Sequence, residues 1–285
     1  MTAGPQRWQA DLALAGVTFI WGATFVVVKE ALKSASTLVF LALRFTLAAI
    51  VLALLFGRRM ERPARGALAA GVAAGAVLFL GYLFQTLGLR LTTPAKSAFI
   101  TGLSVVLVPV LGGLFYRTRP SWNALAGVGC GAAGLYLLAA PAGAWRLSAG
   151  DWLTLLCALA FGLHILLLGR FSRRVGAAVL SVIQVAVAAA MALGSFWWAE
   201  PSFVRWTAQL GGAVLGCGIL ATALAFFVQT WAQQFTSPTH TALIFTLEPV
   251  FAWLTSYVVM GESLEGRSVW GAALILTGIV ASELK

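Results

Sequence analysis

Residues 84–103, FQTLGLRLTTPAKSAFITGL, return 144 positions later as residues 228–247, VQTWAQQFTSPTHTALIFTL. In this register Gln85 meets Gln229 and Thr86 meets Thr230. Thr93-Pro94 meets Ser237-Pro238, Ala98 meets Ala242, Ile100 meets Ile244 and Leu103 meets Leu247. No gap is needed out to residues 134 and 278, and Gly127 and Gly134 fall on Gly271 and Gly278. Earlier in the chain a shift of 140 sets Asp11 on Asp151, Gly22 on Gly162 and Ala48 on Ala188. The difference of four residues is absorbed in the linker after the second apolar stretch of each half. The chain therefore reads as two repeats, 1–145 and 146–285.

The repeat is written in apolar residues. They make up 60% of the chain, against 10% charged, and the mean hydropathy is +0.93. A soluble domain carries about a quarter charged residues, enough to coat its surface. Here the apolar residues gather in stretches of about 20, the length that crosses a bilayer. Ten such spans are expected, at 11–30, 37–57, 67–90, 95–116, 121–140, 151–170, 177–198, 209–234, 239–260 and 268–284. The fold class is thus an all-α integral membrane protein, ten transmembrane helices in two five-helix repeats. Five is odd, so the second half enters the membrane from the opposite side. Such inverted repeats build many secondary transporters, with the site between the halves near the midplane.

The net charge of +10 does not point to nucleic acid, because the basic residues sit in short loops with no Lys/Arg stripe. With the N-terminus in the cytoplasm, that side receives Arg7, Arg58, Arg59, Arg62, Arg65, Arg117, Arg119, Arg170, Arg173, Arg174 and Lys285. The other receives Lys29, Lys33, Arg90, Lys96, Arg146, Arg205 and Arg267. The dense clusters fall on one side, so both termini are expected in the cytoplasm of a bacterial-type inner membrane. The first apolar stretch is long enough to span and lacks a small-residue cleavage site, so it reads as a span and not as a cleaved leader. Cys130, Cys157 and Cys217 lie inside apolar runs, as free thiols would.

The ordered motifs resemble those of the drug/metabolite transporter superfamily, in its ten-helix EamA-type branch. They are Trp21-Gly22-Ala23-Thr24-Phe25, Arg44-Phe45, Glu248-Pro249-Val250-Phe251-Ala252, Gly261-Glu262 and Gly271-Ala272-Ala273-Leu274-Ile275. The resemblance covers essentially the whole chain. It implies the inverted five-plus-five fold, cytoplasmic termini and export of small metabolites or amino acids. It fixes neither the solute nor the coupling ion.

Charges inside a span cost about 2.5–3.5 kcal/mol on insertion scales and mark function by default. Arg44 and Glu248 are the two deepest. Arg44 is read as binding an anionic group or as one side of a structural ion pair. Glu248 is read as binding a cationic group or taking up a proton. Together they suit a zwitterion. Pro249 and Pro109 remove N–H groups that would bond to the carbonyls of Phe245 and Val105, and are read as hinges. Gln85 and Gln229 either bridge helices or touch substrate. His164, which aligns with Thr24, is a proton relay or a structural histidine. His240 is expected at the interface, at a polar helix start matching Lys96. Trp21, Thr24, Tyr82 and Trp231 complete the candidate substrate site, with core packing as the alternative for the aromatics. Trp8, Trp122, Trp145, Trp152, Trp206 and Trp270 read as interfacial anchors. Gly71/Gly75, Gly127/Gly131 and Gly212/Gly216 have the spacing of close helix contacts. The fifth and tenth spans, rich in Gly and Ala, are expected to be supports or a dimer face.

No Gly-x-Ser-x-Gly, His-Glu-x-x-His or clustered thiols occur, so an enzyme is not expected, nor a cofactor or metal. The expected function is a secondary transporter that exports small metabolites or amino acids across the cytoplasmic membrane by alternating access, coupled to protons through Glu248. A channel-like permease and an intramembrane enzyme are the alternatives. The expected partners are a small solute, the lipid bilayer and protons, in a monomer or homodimer.

Overall fold

Thr93 and Ser237, the repeat-mated residues before Pro94 and Pro238, each open a helix. Their side chains accept the N–H groups of Lys96 (3.3 Å) and His240 (3.2 Å). Proline then occupies the first position, where no N–H is needed. The computed structural model describes residues 7–59, 65–139, 147–260 and 266–283. The repeat boundary near 145, Gly261-Glu262, Arg62, Trp145, Arg146 and Lys285 lie outside the described residues.

The described residues form an all-α fold of ten helical segments. The first three are α1 (Arg7–Ala31), α2 (Thr37–Phe56) and α3 (Arg65–Leu91). The fourth is split into α4 (Pro94–Gly102) and α5 (Ser104–Tyr116), and the fifth is α6 (Trp122–Ala139). The second half repeats the plan with α7 (Ala149–Val175) and α8 (Ala177–Ser195). Its third segment runs through α9 (Ala208–Leu215), a π-helical stretch Gly216–Leu224 and α10 (Ala225–Ala232). The last elements are α11 (Pro238–Phe245), α12 (Leu247–Met260) and α13 (Gly266–Glu283). Seven helices are long and apolar enough to cross a membrane. The segments Trp122–Leu138 and Gly266–Ser282 are apolar but shorter. The expected ten spans are thus matched in number of helices, while seven reach spanning length and apolarity among the described residues.

The helix breaks sit in corresponding places, at Leu103 and Thr246. Thr246 turns its hydroxyl onto the Leu243 carbonyl at 2.6 Å. Pro249, the third residue of α12, has no N–H for the Phe245 carbonyl. In the first half Pro109 lies inside α5, well beyond the break. There Leu103 N–H bonds to Ile100 O at 3.1 Å in a tightened turn.

Two apolar clusters carry the packing. One joins α2, α3 and α8 through Phe40, Phe45, Leu78 and Ala188; the other joins α4, α5 and α11 through Phe99, Val105, Leu243 and Ile244. Trp21 packs against both. The outward faces expose Leu54, Leu114, Leu215 and Val280, the surface a hydrocarbon solvent accommodates. Trp8, Trp122, Trp152, Trp206 and Trp270 are also exposed, as anchors at span ends are.

Helices α6 and α13 cross antiparallel through their glycines. A Cβ on Gly134 would lie 2.6 Å from the Gly271 carbonyl oxygen, and one on Gly127 would lie 2.6 Å from that of Gly278. These partners are the repeat mates exchanged across a two-fold. The glycine faces are therefore turned on each other within one chain. The obstacle is backbone and cannot swing aside. Gly134→Val is expected to lower the denaturation midpoint in detergent, at a cost of about 1–3 kcal/mol for overpacking; an unchanged midpoint counts against this contact. Gly71 and Gly75 similarly pack on Ile183, Gln184 and Val187. Gly212 and Gly216 do not follow the expectation: a Cβ on either meets nothing within 4 Å.

Candidate functional site

Arg44 stands two turns into α2, 2% exposed, where an unmatched guanidinium would be costly. Its Nε donates to Thr222 Oγ1 at 2.6 Å, and its Nη2 donates to Tyr82 Oη at 3.1 Å and to the Ala221 carbonyl at 3.2 Å. Its Cζ also lies 4.4 Å from the Tyr82 ring centroid, a cation–π distance. The Ala221 carbonyl accepts a second bond, from Trp21 Nε1 at 2.9 Å. Ala221 and Thr222 both lie in the π-helical stretch. Such stretches recur at functional sites. No described carboxylate pairs with Arg44, and its Nη1 makes no hydrogen bond.

Arg44 faces a central cavity of about 60 Å³. An ordinary ligand pocket has about 300 Å³ or more, so a metabolite enters this one only if the helices move. Of the nine residues expected at the substrate site, eight line it: Trp21, Thr24, Arg44, Tyr82, Gln85, His164, Gln229 and Glu248. Trp231 does not. It packs on Phe235, with centroids 5.4 Å apart. Gln229 faces the cavity, and a residue two further along a helix points about 200° away. The proposed hinges Pro109 and Pro249 are not among the lining residues.

Glu248 is the second residue of α12, just past the break, and is 8% exposed. Its carboxylate accepts no hydrogen bond and pairs with no cation among the described residues. Its helix is pressed onto α1 at Gly22, where a Cβ would come within 2.7 Å of the Glu248 carbonyl oxygen. Gly22→Ala is therefore expected to disturb the site from behind without changing any lining side chain. A proteoliposome flux assay reads this as lost transport by protein that elutes normally.

The amides differ. Gln85 Nε2 reaches Thr101 Oγ1 at a long 3.4 Å. Gln229 Nε2 donates to Gln233 Oε1 at 3.2 Å, and its own Oε1 is buried without a partner. Gln184 belongs to a bridge below the cavity. Its Nε2 donates to Thr230 Oγ1 at 3.0 Å, so its Oε1 accepts from His164 Nε2 at 2.7 Å. His164 Nε2–H is then the donor in this bridge. Thr24 hydrogen-bonds its own helix, to Trp21 O at 2.8 Å. His240 is the third residue of α11. It is 3% exposed and holds Ser282 Oγ at 2.9 Å, because α11 starts beneath α1 and α13.

Aromatic walls enclose the space. Trp21 meets Phe245 at 5.1 Å and Phe226 at 5.5 Å; Tyr82 meets Phe161 at 5.3 Å. Phe161, Phe226, Phe245, Thr101, Ser104 and Thr222 were not singled out by sequence. A signal existed for most of them. The same two shifts set Phe161 on Trp21, Phe226 on Tyr82, Phe245 on Thr101 and Ser104 on Glu248, and every member of these pairs lines the cavity. Thr222 and the π-helical stretch had no such signal.

The described residues contain no group of three or more His, Cys, Asp or Glu side chains able to hold a metal. The fold is similar to that of a protein of known crystal structure, with a TM-score of 0.80, 21% identity, and 98% of this chain and 97% of that one covered. The chain is 35% identical over 289 residues to an uncharacterized transporter of Archaeoglobus fulgidus, covering 99% of this chain and 88% of that protein. The EamA-like transporter family model matches twice, over residues 8–140 and 148–283. With both matches together spanning nearly its whole length, the chain belongs to the EamA-like transporter family, and it is a multi-pass membrane protein that transports small molecules.

Proposed function

We propose that the protein exports a small zwitterion, such as an amino acid, across the cytoplasmic membrane by alternating access of two inverted five-helix halves, 1–145 and 146–285. Both termini then lie in the cytoplasm, by the Lys/Arg bias of the loops. The observation that carries this reading is the pairing of Arg44 and Glu248 on one aromatic-walled cavity whose lining residues are repeat mates from both halves. Arg44 offers a free guanidinium edge to a carboxylate. Glu248, lacking any cation of its own, receives the ammonium group or a coupling proton. The antiparallel crossing of α6 and α13 supports the inverted arrangement. The breaks at Leu103 and Thr246 place irregular backbone where it borders a cavity, the setting in which membrane proteins tolerate it. Pro109 and Pro249, each beyond a break, are the proposed hinges.

A panel of solutes tested by thermal shift on purified protein addresses the substrate. Amino acids are expected to raise the midpoint in a saturable way. A clear shift from another class with none from any amino acid overturns the zwitterion.

A further inference from the structure

Lys96 and Asp151 form an ion pair at 2.5 Å between α4 of the first half and α7 of the second. Asp151 is fully buried and also accepts from Thr92 Oγ1 at 2.8 Å and Ser148 N–H at 2.7 Å. Lys29, at the far end of α1, donates to Thr92 O at 2.9 Å and draws that helix into the same closure. The repeat registers carry Lys96 onto His240 and Asp151 onto Asp11. Those two residues also face each other. His240 Nε2 lies 3.4 Å from Asp11 Oδ1, joining α11 of the second half to α1 of the first. Asp11 and Lys29 are eighteen residues apart on one helix, about 27 Å, so the two pairs close opposite ends of the bundle.

The two pairs differ in length, 2.5 Å against 3.4 Å. The Lys96 pair is short and fully hydrogen-bonded around its carboxylate. The His240 pair has no hydrogen-bond geometry between its facing atoms. Beside it, at the start of α11, a cavity of about 400 Å³ opens between Arg7, Arg173, Gln233, Ser237 and Pro238. In this conformation the Lys96 end is held by the shorter pair and the His240 end by the longer one.

We propose that Lys96–Asp151 and His240–Asp11 are symmetry-related latches that shut the two ends of the transport route in turn. Each latch links one half to the other, so neither survives the rocking of the halves that opens its own end. This rests on the alternating-access reading above. It adds which contacts hold each end. Stabilising one closed end by such a pair biases the whole equilibrium, because the two ends belong to one two-state element.

The test uses the full chain in liposomes, with Cys130, Cys157 and Cys217 replaced by Ala and Ser104→Cys as a cavity reporter. A membrane-impermeant maleimide is added to one face at a time. Lys96→Gln is expected to raise labelling from the Lys96 face roughly fivefold or more and to lower it from the opposite face; Lys96→Arg is expected to restore the parent pattern. His240→Gln and Asp11→Asn are expected to raise labelling from the His240 face and lower it from the other. The reciprocal fall separates a latch from local loosening. The second pair of variants keeps the test intact should Lys96→Gln not fold. Labelling unchanged by all these variants, in protein that still transports saturably, overturns the latches and leaves alternating access standing. Equal labelling from both faces at once in the parent, with flux that does not saturate, overturns alternating access itself.

Discussion

Glu248→Gln is expected to abolish proton-driven transport in a protein that still elutes and melts like the parent. Glutamine keeps the size of the side chain and removes only its ability to carry a charge and exchange a proton. Because no described group pairs with the Glu248 carboxylate, its removal leaves no orphaned cation behind, and stability is expected to hold. In the proposed function, transport depends on it. Losing the charge-assisted contact to a bound ammonium or the coupling proton is expected to cut flux roughly hundredfold, equivalent to about 2.7 kcal/mol. The measurement is initial flux into proteoliposomes with and without a pH gradient. Flux equal to that of the parent removes Glu248 from the site.

Arg44 is expected to behave differently, since it is bound on three sides. Arg44→Ala strips a donor from Tyr82 Oη, from Thr222 Oγ1 and from the Ala221 carbonyl. Each buried group left short of a partner costs about 1–3 kcal/mol, so this variant is expected to lose both transport and thermal stability. Arg44→Lys separates the two effects. A lysine keeps the charge but cannot form the planar fork or the stacked contact on Tyr82. Its melting midpoint is expected to lie between those of the parent and the alanine variant, with KM for the solute raised about tenfold, or about 1.4 kcal/mol. Unaltered KM in both variants places Arg44 outside the substrate site and leaves it a purely structural cation.

The sequence was informative where symmetry could speak. Matching helix starts at Thr93-Pro94 and Ser237-Pro238 are visible in the residues because capping chemistry is local. Arg44 and Glu248 stand out because a charge in an apolar run is rare and expensive. The facing glycines of α6 and α13 were legible as small residues, though not as partners, since spacing on one helix does not name the helix opposite. Trp231 illustrates a different limit. A helix buried on most sides shows no apolar face, and mid-span position alone does not tell which way a side chain points. Its separation of two residues from Gln229 carried that information. The π-helical stretch Gly216–Leu224 was not legible at all. Its residues form an ordinary apolar run, and the winding becomes apparent only with Arg44 and Trp21 bonded to Ala221. Aromatic residues such as Phe161 and Phe226 look like core until their repeat mates are placed on the same cavity.

Trans-stimulation most directly tests the claim that the Arg44–Glu248 cavity works by alternating access. Liposomes containing the protein are loaded with unlabelled amino acid, and entry of the same labelled amino acid is followed against liposomes loaded with buffer alone. Alternating access through one cavity is expected to give faster, saturable entry into the preloaded liposomes. Entry that rises linearly with concentration, indifferent to what the liposomes contain, would contradict it.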